Sequence, residues 1–126
     1  MIALLNRLDE HHEECRHTLR KIKAPMLTVW PAYTEAMHLL RVSASAQAAL
    51  WDLVLDETIA FLEPDKEDCR KMRDLMKKYR DLPMDLADAA LVCLAERRRI
   101  SRIFTLDQRH FNLYRSSRND AFEIIP

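Results

Sequence analysis

Short apolar runs alternate along this chain with longer segments in which apolar residues recur at helical spacing. The runs are rich in β-branched or aromatic residues and occupy positions 26–30, 58–62, 102–106 and 122–126. Such alternation is typical of β/α units, in which helices connect strands that pair in parallel. We therefore expect an α/β fold, and the length of 126 residues predicts one domain, 1–126.

Helical patterns fill the intervals between these runs. They cover a polar stretch at 12–22, a stretch that begins near Pro31, a stretch from Ser45, an amphipathic stretch at 65–79 and an almost wholly apolar stretch at 84–96, entered after Pro83. Within 65–79 the spacing predicts that Cys69, Met72 and Leu75 face inward. Trp30 and Trp51 stand at core-like spacing, so we expect both to pack in the core.

Composition excludes several classes of function. The chain contains no glycine, so it cannot form the Gly-rich loops that cradle phosphates in nucleotide-binding proteins. No apolar run is long enough to span a bilayer, and the N-terminus lacks a basic leader, so we expect a cytoplasmic protein and no membrane partner. Its three cysteines (Cys15, Cys69 and Cys93) are widely spaced, which argues against a disulfide framework.

Positive charge is concentrated in the last third of the chain, although the formal net charge is zero. Arginines occur there at positions 97, 98, 99, 102, 109, 115 and 118. They could form a surface that faces the phosphates of a nucleic acid, or simply a solvated face. If RNA is the ligand, Arg109, Arg115 and Arg118 are the candidates for contacting its backbone.

Carboxylates follow the predicted strands or lie on the apolar helix. Asp88 falls within the apolar stripe of 84–96, where a charge needs compensation, while Asp85 and Asp88 also suit the start of a helix. Asp107 directly follows the strand at 102–106, and Glu35 lies one turn beyond the strand at 26–30. Each acid could equally serve as a helix cap or first-turn acid, and both interpretations stay open here.

If these carboxylates converge at one edge of a parallel sheet, they repel one another and need a cation. Hard oxygen ligands select Mg²⁺ or Mn²⁺, which can polarise a phosphodiester and activate water for hydrolysis. A zinc site at His12 and Cys15 is an alternative, but no second pair with suitable spacing accompanies these residues. The acids therefore favour hydrolysis of a phosphodiester by water, without a nucleophilic side chain.

Three segments resemble the motifs of PIN domains, especially bacterial VapC-type toxins. They are Y-T-E-A-M-H-L-L at 33–40, L-P-M-D-L-A-D-A-A-L-V-C-L-A-E at 82–96 and I-F-T-L-D-Q-R-H-F at 103–111. The resemblance implies a three-layer PIN-like fold with a central parallel sheet flanked by helices. It also implies a metal-dependent endoribonuclease in which Glu35, Asp88 and Asp107 bind Mg²⁺ or Mn²⁺, with Asp85 as an accessory acid or cap.

The resemblance further implies a homodimer that a small cognate antitoxin neutralises. Family members begin with a central strand that ends in an Asp and precedes a segment like I-A-L-L, whereas this sequence starts at the Met before I-A-L-L. We therefore expect that the first, central strand and a fourth acid are lacking here, either because the true start lies upstream of Met1 or because this copy is degenerate. The alternative function is a catalytically impaired PIN-like scaffold that binds an antitoxin or RNA without cleaving.

Overall fold

The computed structural model describes residues 1–23, 25–82, 84–115 and 120–126. Its chain divides into two compact units, of which the first comprises residues 1–61 with Pro126 and the second comprises 62–125. Pro83, expected to precede a helix, and Arg118, a candidate RNA contact, lie outside the described residues.

Within its described residues, the first unit combines four α-helices with a pair of strands. In chain order it contains α1 (Ile2–Leu5), α2 (His12–Lys21), β1 (Met26–Thr28), α3 (Trp30–Leu39), a 3₁₀ turn (Leu40–Val42), α4 (Ala44–Leu55) and β2 (Ile59–Phe61). Strands β1 and β2 pair in parallel, with Met26 opposite Ile59 and Thr28 opposite Phe61. The first unit is thus a β/α unit of the kind that the alternating pattern predicts.

Local sequence signals account for the boundaries of these elements. Pro31 lies in the first turn of α3, where a missing N–H is harmless. The Ser43 side chain caps α4 by accepting a hydrogen bond from the Ala46 amide at 3.3 Å. Glu57, before β2, takes a left-handed conformation with φ of 61°.

The aromatic residues of the first unit are less buried than their spacing predicts. Tyr33 is in the core, together with Ala36, Leu40, Leu50 and Ile59. Trp30 and Trp51, in contrast, are 46% and 44% exposed, so the prediction that they pack in the core is wrong. The Trp30 ring stacks on that of Phe61, with centroids 3.9 Å apart. The buried Tyr33 ring contacts Trp30, Phe61 and Trp51 edge to face.

The second unit contains three helices and two strands within its described part. They are α5 (Lys66–Lys78), α6 (Leu86–Arg98), β3 (Arg102–Phe104), α7 (Gln108–Phe111) and β4 (Glu123–Ile125). Strands β3 and β4 pair in parallel, with Arg102 opposite Glu123. Helix α5 packs against α6.

Helix α5 starts with a capping box between Asp65 and Asp68. Asp68 is buried and forms an ion pair with Arg97 of α6, while Cys69 is exposed. The prediction that Cys69 faces inward is therefore wrong. Asp68 takes the buried position because a guanidinium from the neighbouring helix compensates its charge.

Helix α6 is buried along most of its surface, as its apolar composition predicts. Val92, Cys93 and Leu94 are almost completely inaccessible to solvent, and full burial of a valine or leucine side chain contributes about 1.5–3 kcal/mol. The helix ends in a Schellman motif, in which the amide of Ile100 donates to Ala95 O at 2.8 Å. Arg99 adopts φ of 56° there, a position where glycine is the usual residue.

These elements confirm the α/β class and the parallel pairing, which appears as one two-stranded sheet in each unit. The single domain and the lack of a first, central strand stay predictions. Within the described residues, no helix combines the length and apolar character that crossing a membrane would require.

Candidate functional site

Asp85 caps the N-terminus of α6 in the second unit. Its carboxylate accepts a hydrogen bond from the amide of Asp88 at 2.9 Å, and its backbone is extended, with φ of −89° and ψ of −179°. These are the features of an N-cap residue. The capping interpretation of Asp85 is thus observed, and its side chain stays exposed to solvent.

Asp88, in the first turn of α6, is partly buried and directs its carboxylate toward a tyrosine. The hydroxyl of Tyr114 donates a hydrogen bond to Asp88 Oδ2 at 3.0 Å. Burial raises the pKa of Asp88 most, and the negative charges of Asp85 and Asp107 raise it further, although hydrogen bonds from Tyr114 and the Asp85 backbone oppose this. Asp88 is therefore an acid whose ionised form is disfavoured where it lies.

Tyr114 is completely buried, and sequence reasoning did not identify it. Burial and the nearby carboxylate of Asp88 both raise the pKa of its phenol, so the hydroxyl keeps its proton and acts as a donor. The ring contacts Tyr79 at 5.2 Å and Phe111 at 5.4 Å, both edge to face. A signal was present, because positions 107, 110, 111 and 114 repeat at helical spacing.

Asp107 lies between β3 and α7, as the strand prediction requires. Its Oδ1 accepts a hydrogen bond from the His110 amide at 3.1 Å, and its Oδ2 lies 2.9 Å from His110 Nδ1. The Asp107 amide in turn donates to the hydroxyl oxygen of Thr105 at 3.1 Å. Asp107 thus serves as a cap for α7 and belongs to the group of charges that act on Asp88.

A comparison within the second unit distinguishes Asp88 from an ordinary helix-start acid. Asp65 and Asp68 have the same spacing at the start of α5 as Asp85 and Asp88 have at the start of α6. The buried Asp68 is compensated by the guanidinium of Arg97. Asp88 instead receives a neutral hydroxyl and lies near two further acids, an arrangement that a bound cation would stabilise.

The remaining site candidates have different surroundings. Glu35 is exposed on α3 and belongs to the first unit, so its place in a ligand set with Asp88 and Asp107 stays a prediction. Arg109 is exposed on α7. The guanidinium of Arg115 donates to the carbonyl oxygens of Asn112 and Tyr114, which gives this residue a structural role besides any contact with RNA.

The acids offer oxygen ligands but do not enclose an ion. Among the described residues, no three His, Cys, Asp or Glu side chains are grouped closely enough to hold a metal by themselves. Zinc at His12 and Cys15 gains no support, since the Nδ1 atom of the buried His12 lies 2.8 Å from Ala3 O. Mg²⁺ fits the acids of the second unit better, because it commonly binds through one or two carboxylates and retains several waters.

Comparison with known proteins places the chain in a family. The model of the PIN domain matches residues 1–116. Ribonuclease VapC26 of Mycobacterium tuberculosis is 44% identical over 52 residues, which cover 41% of this chain and 38% of that protein. The match therefore spans little more than a third of that relative's length.

A solved structure matches nearly the whole chain. The crystal structure of VapC20 of Mycobacterium tuberculosis, described as a toxin that cleaves the sarcin–ricin loop, superposes with a TM-score of 0.80 at 16% sequence identity. The superposition covers 99% of this chain and 93% of VapC20, so the two share an α/β fold. The resemblance that the three motifs suggested is confirmed, and this chain belongs to the PIN-domain family.

Proposed function

We propose that this chain is a metal-dependent endoribonuclease that hydrolyses RNA phosphodiester bonds, and that it is the toxin of a toxin–antitoxin pair. The observation that carries the proposal is Asp88, a partly buried acid with a raised pKa beside Asp85 and Asp107. Membership of the PIN-domain family and the similarity to a ribonuclease and a toxin support it. A divalent cation would compensate the repulsion among these acids.

Mg²⁺ or Mn²⁺ would be held by Asp88 and Asp107, with Glu35 as the third ligand and Asp85 as an accessory acid. When bound, such an ion supplies Lewis-acid polarisation of the phosphate and a more acidic water. The protein's own contribution is to orient the acids. Tyr114 holds one oxygen of Asp88, and His110 contacts Asp107.

RNA would be bound through its phosphates by the basic residues of the second unit. Arg109 is exposed two residues beyond Asp107, close enough in sequence to contact a backbone that reaches this acid. Arg115 and Arg118 are the further candidates. Contacts of this kind strengthen binding without selecting a sequence, and they weaken as salt rises.

The partners that the toxin assignment implies are a second copy of the chain and a small cognate antitoxin. The first unit has an open cavity of about 240 Å³ lined by Leu4, Leu5, Arg16, Leu19, Arg20 and Leu53. Its apolar floor and two arginines would suit an antitoxin segment with apolar and acidic side chains. The three free cysteines agree with a reducing compartment such as the cytoplasm.

A catalytically impaired scaffold is the second candidate. It is favoured by the finding that, in the part of the chain that the structure describes, no three potential ligands form a metal-binding group. Such a protein would bind an antitoxin or RNA and leave the RNA intact.

The two candidates differ in the effect of Asp88→Asn on RNA cleavage. Purified protein is incubated with total RNA and with a sarcin–ricin loop oligonucleotide, in Mg²⁺, in Mn²⁺ and in EDTA. We expect cleavage that requires the metal and that Asp88→Asn lowers by at least about 100-fold, because a ligand matters more than the outer contacts whose loss costs 10–100-fold. Asp74→Asn, at an exposed acid of α5, is the matched control and should cleave like the wild type.

Intact RNA under every condition, with RNA binding retained, would favour the scaffold. Cleavage that persists in EDTA, or that Asp88→Asn leaves at the wild-type rate, would contradict the proposed metal site.

A further inference from the structure

Tyr114 is the only polar side chain, within the described residues, that donates a side-chain hydrogen bond to Asp88. The two residues are 26 positions apart, so this contact depends on the fold of the second unit and not on local sequence. Tyr114 has no exposed surface. A buried phenol with one acceptor has few alternative partners, and its hydroxyl therefore restricts the orientation of the carboxylate.

The ring of Tyr114 is itself held on several sides. Tyr79 and Phe111 contact it edge to face at centroid distances of 5.2 and 5.4 Å. The hydroxyl of Tyr79 accepts a hydrogen bond from the Arg115 amide at 3.2 Å and, among the described residues, contacts no carboxylate, so Tyr79 supports Tyr114 through its ring alone. Such packing leaves the aromatic ring little freedom, and the position of the Tyr114 hydroxyl follows from it.

The Tyr114 ring also neighbours His110, whose side chain contacts the second acid, Asp107. The ring of His110 lies nearly parallel to that of Tyr114, with centroids 6.5 Å apart. His110 Nδ1 is 2.9 Å from Asp107 Oδ2. Asp88 and Asp107 are therefore both contacted by side chains from the segment 110–114.

We infer that Tyr114 is a positioning residue for metal binding, whose buried hydroxyl holds the Asp88 carboxylate in the orientation that receives the cation. The inference rests on the proposed function, since it concerns the same acids. Hydrogen-bonding partners of metal ligands fix ligand orientation, and their loss typically costs 10–100-fold in metal affinity. Tyr114 thus acts through Asp88 and is not itself expected to contact the metal or RNA.

The test is the affinity of Tyr114→Phe for Mn²⁺, measured by electron paramagnetic resonance of the free ion. Phenylalanine keeps the ring and removes only the hydroxyl. We expect the dissociation constant for Mn²⁺ to rise by about 10–100-fold. Tyr79→Phe is the matched control. It also removes a tyrosine hydroxyl, from a ring that contacts Tyr114, but this hydroxyl accepts from a backbone amide and, in the described part of the chain, does not contact a carboxylate. Its Mn²⁺ affinity should stay within about threefold of the wild type.

The outcomes separate the inference from the proposed function. If Asp88→Asn lowers Mn²⁺ affinity but Tyr114→Phe does not, or if Tyr79→Phe weakens Mn²⁺ binding as much as Tyr114→Phe, the positioning role is refuted and the metal site stands. If the wild type binds no Mn²⁺, or if Asp88→Asn binds it normally, both are refuted.

A second measurement avoids dependence on the folding of Tyr114→Phe. The protein has three tyrosines, so 3-fluorotyrosine labelling of the wild type gives three ¹⁹F resonances, which Tyr33→Phe and Tyr79→Phe assign. Mg²⁺ should shift the Tyr114 resonance, with the same midpoint as metal binding, and leave that of Tyr33 in place. A Tyr114 resonance that does not move at saturating Mg²⁺ would overturn the inference.

Discussion

Two helix-start acids with identical spacing should respond in opposite ways to the same substitution. Asp68 lies in the first turn of α5 and Asp88 in the first turn of α6, and each follows its N-cap acid by three residues. Asparagine is nearly isosteric with aspartate; it removes the charge and replaces one acceptor oxygen by an NH₂ donor. We expect Asp68→Asn to lower the free energy of unfolding of the metal-free protein and Asp88→Asn to raise it.

The size of the loss at Asp68 follows from its burial. Its side chain is 2% exposed, whereas that of its partner Arg97 is 33% exposed. Arg97 can regain water, so the loss should approach that of one charge-assisted hydrogen bond, about 1.5–3 kcal/mol. With an entropy of unfolding near 2.1 cal/mol/K per residue over 126 residues, the melting temperature should fall by about 6–11 °C.

For Asp88→Asn the free energy of unfolding should rise, whereas for Asp68→Asn it should fall. The reason is that the folded state raises the pKa of Asp88 above its ordinary value of 3.8. The ionised carboxylate therefore destabilises the folded protein at pH values above the folded-state pKa. This effect vanishes below 3.8, where Asp88 is protonated in both the folded and the unfolded chain. Asp88→Asn should thus be more stable than the wild type at pH 7, and the difference should shrink as the pH falls toward about 4.

Urea denaturation followed by circular dichroism, in EDTA at both pH values, measures these differences, with Mn²⁺ affinity as a second reading. Asp68→Asn should retain Mn²⁺ binding, and Asp88→Asn should lose it. A loss of stability at pH 7 that is equal for the two variants would refute the reasoning, since it would mean that Asp88 has a compensating contact comparable to that of Asp68 with Arg97.

Three further predictions concern packing, thiol reactivity and RNA binding. Leu94→Ala should lower the free energy of unfolding in urea by about 2–5 kcal/mol, because Leu94 is 1% exposed and truncation leaves a cavity. In the native protein a disulfide reagent at pH 8 should label the exposed Cys69 and spare Cys93, whose pKa is raised to about 12 by burial and by Asp68; equal rates for the two thiols would contradict the burial of Cys93. Arg109→Ala should weaken RNA binding and reduce the slope of the logarithm of the binding constant against the logarithm of salt concentration by about one. Arg115→Ala should also lower the melting temperature, because the Arg115 guanidinium donates to backbone carbonyls.

The order of helices and strands could be predicted from sequence because it depends on local signals. The β-branched or aromatic runs contain β1 to β4, and Pro31 lies in the first turn of the helix that it predicts. Asp85 as the cap of α6 is one such case, since a cap bonds to an amide three residues away. Asp107 is another, since the turn that follows it is encoded within four residues.

Contacts between distant segments could not be predicted in this way. Asp68 replaces Cys69 in the interior because Arg97, 29 residues further on, reaches it. Tyr114 likewise supports Asp88 across 26 residues, and no local pattern indicates that pairing. Glu35 is a candidate ligand because it follows a predicted strand and matches a motif, but sequence spacing gives no distance between it and Asp88 or Asp107, so its place in the ligand set stays a prediction.

Two left-handed positions among the described residues, one of them directly after α6, are occupied by residues that have a Cβ atom. Without glycine, Arg99 and Glu57 must adopt positive φ themselves, and each such residue costs about 1–2 kcal/mol relative to the right-handed conformation. The same lack of glycine narrows the set of conformations open to the denatured polypeptide, which favours the native state entropically. The unfavourable backbone conformation of Arg99 and Glu57 in the folded protein is thus offset by a lower conformational entropy of the unfolded chain. Arg99→Gly would relieve the first effect at one position and weaken the second.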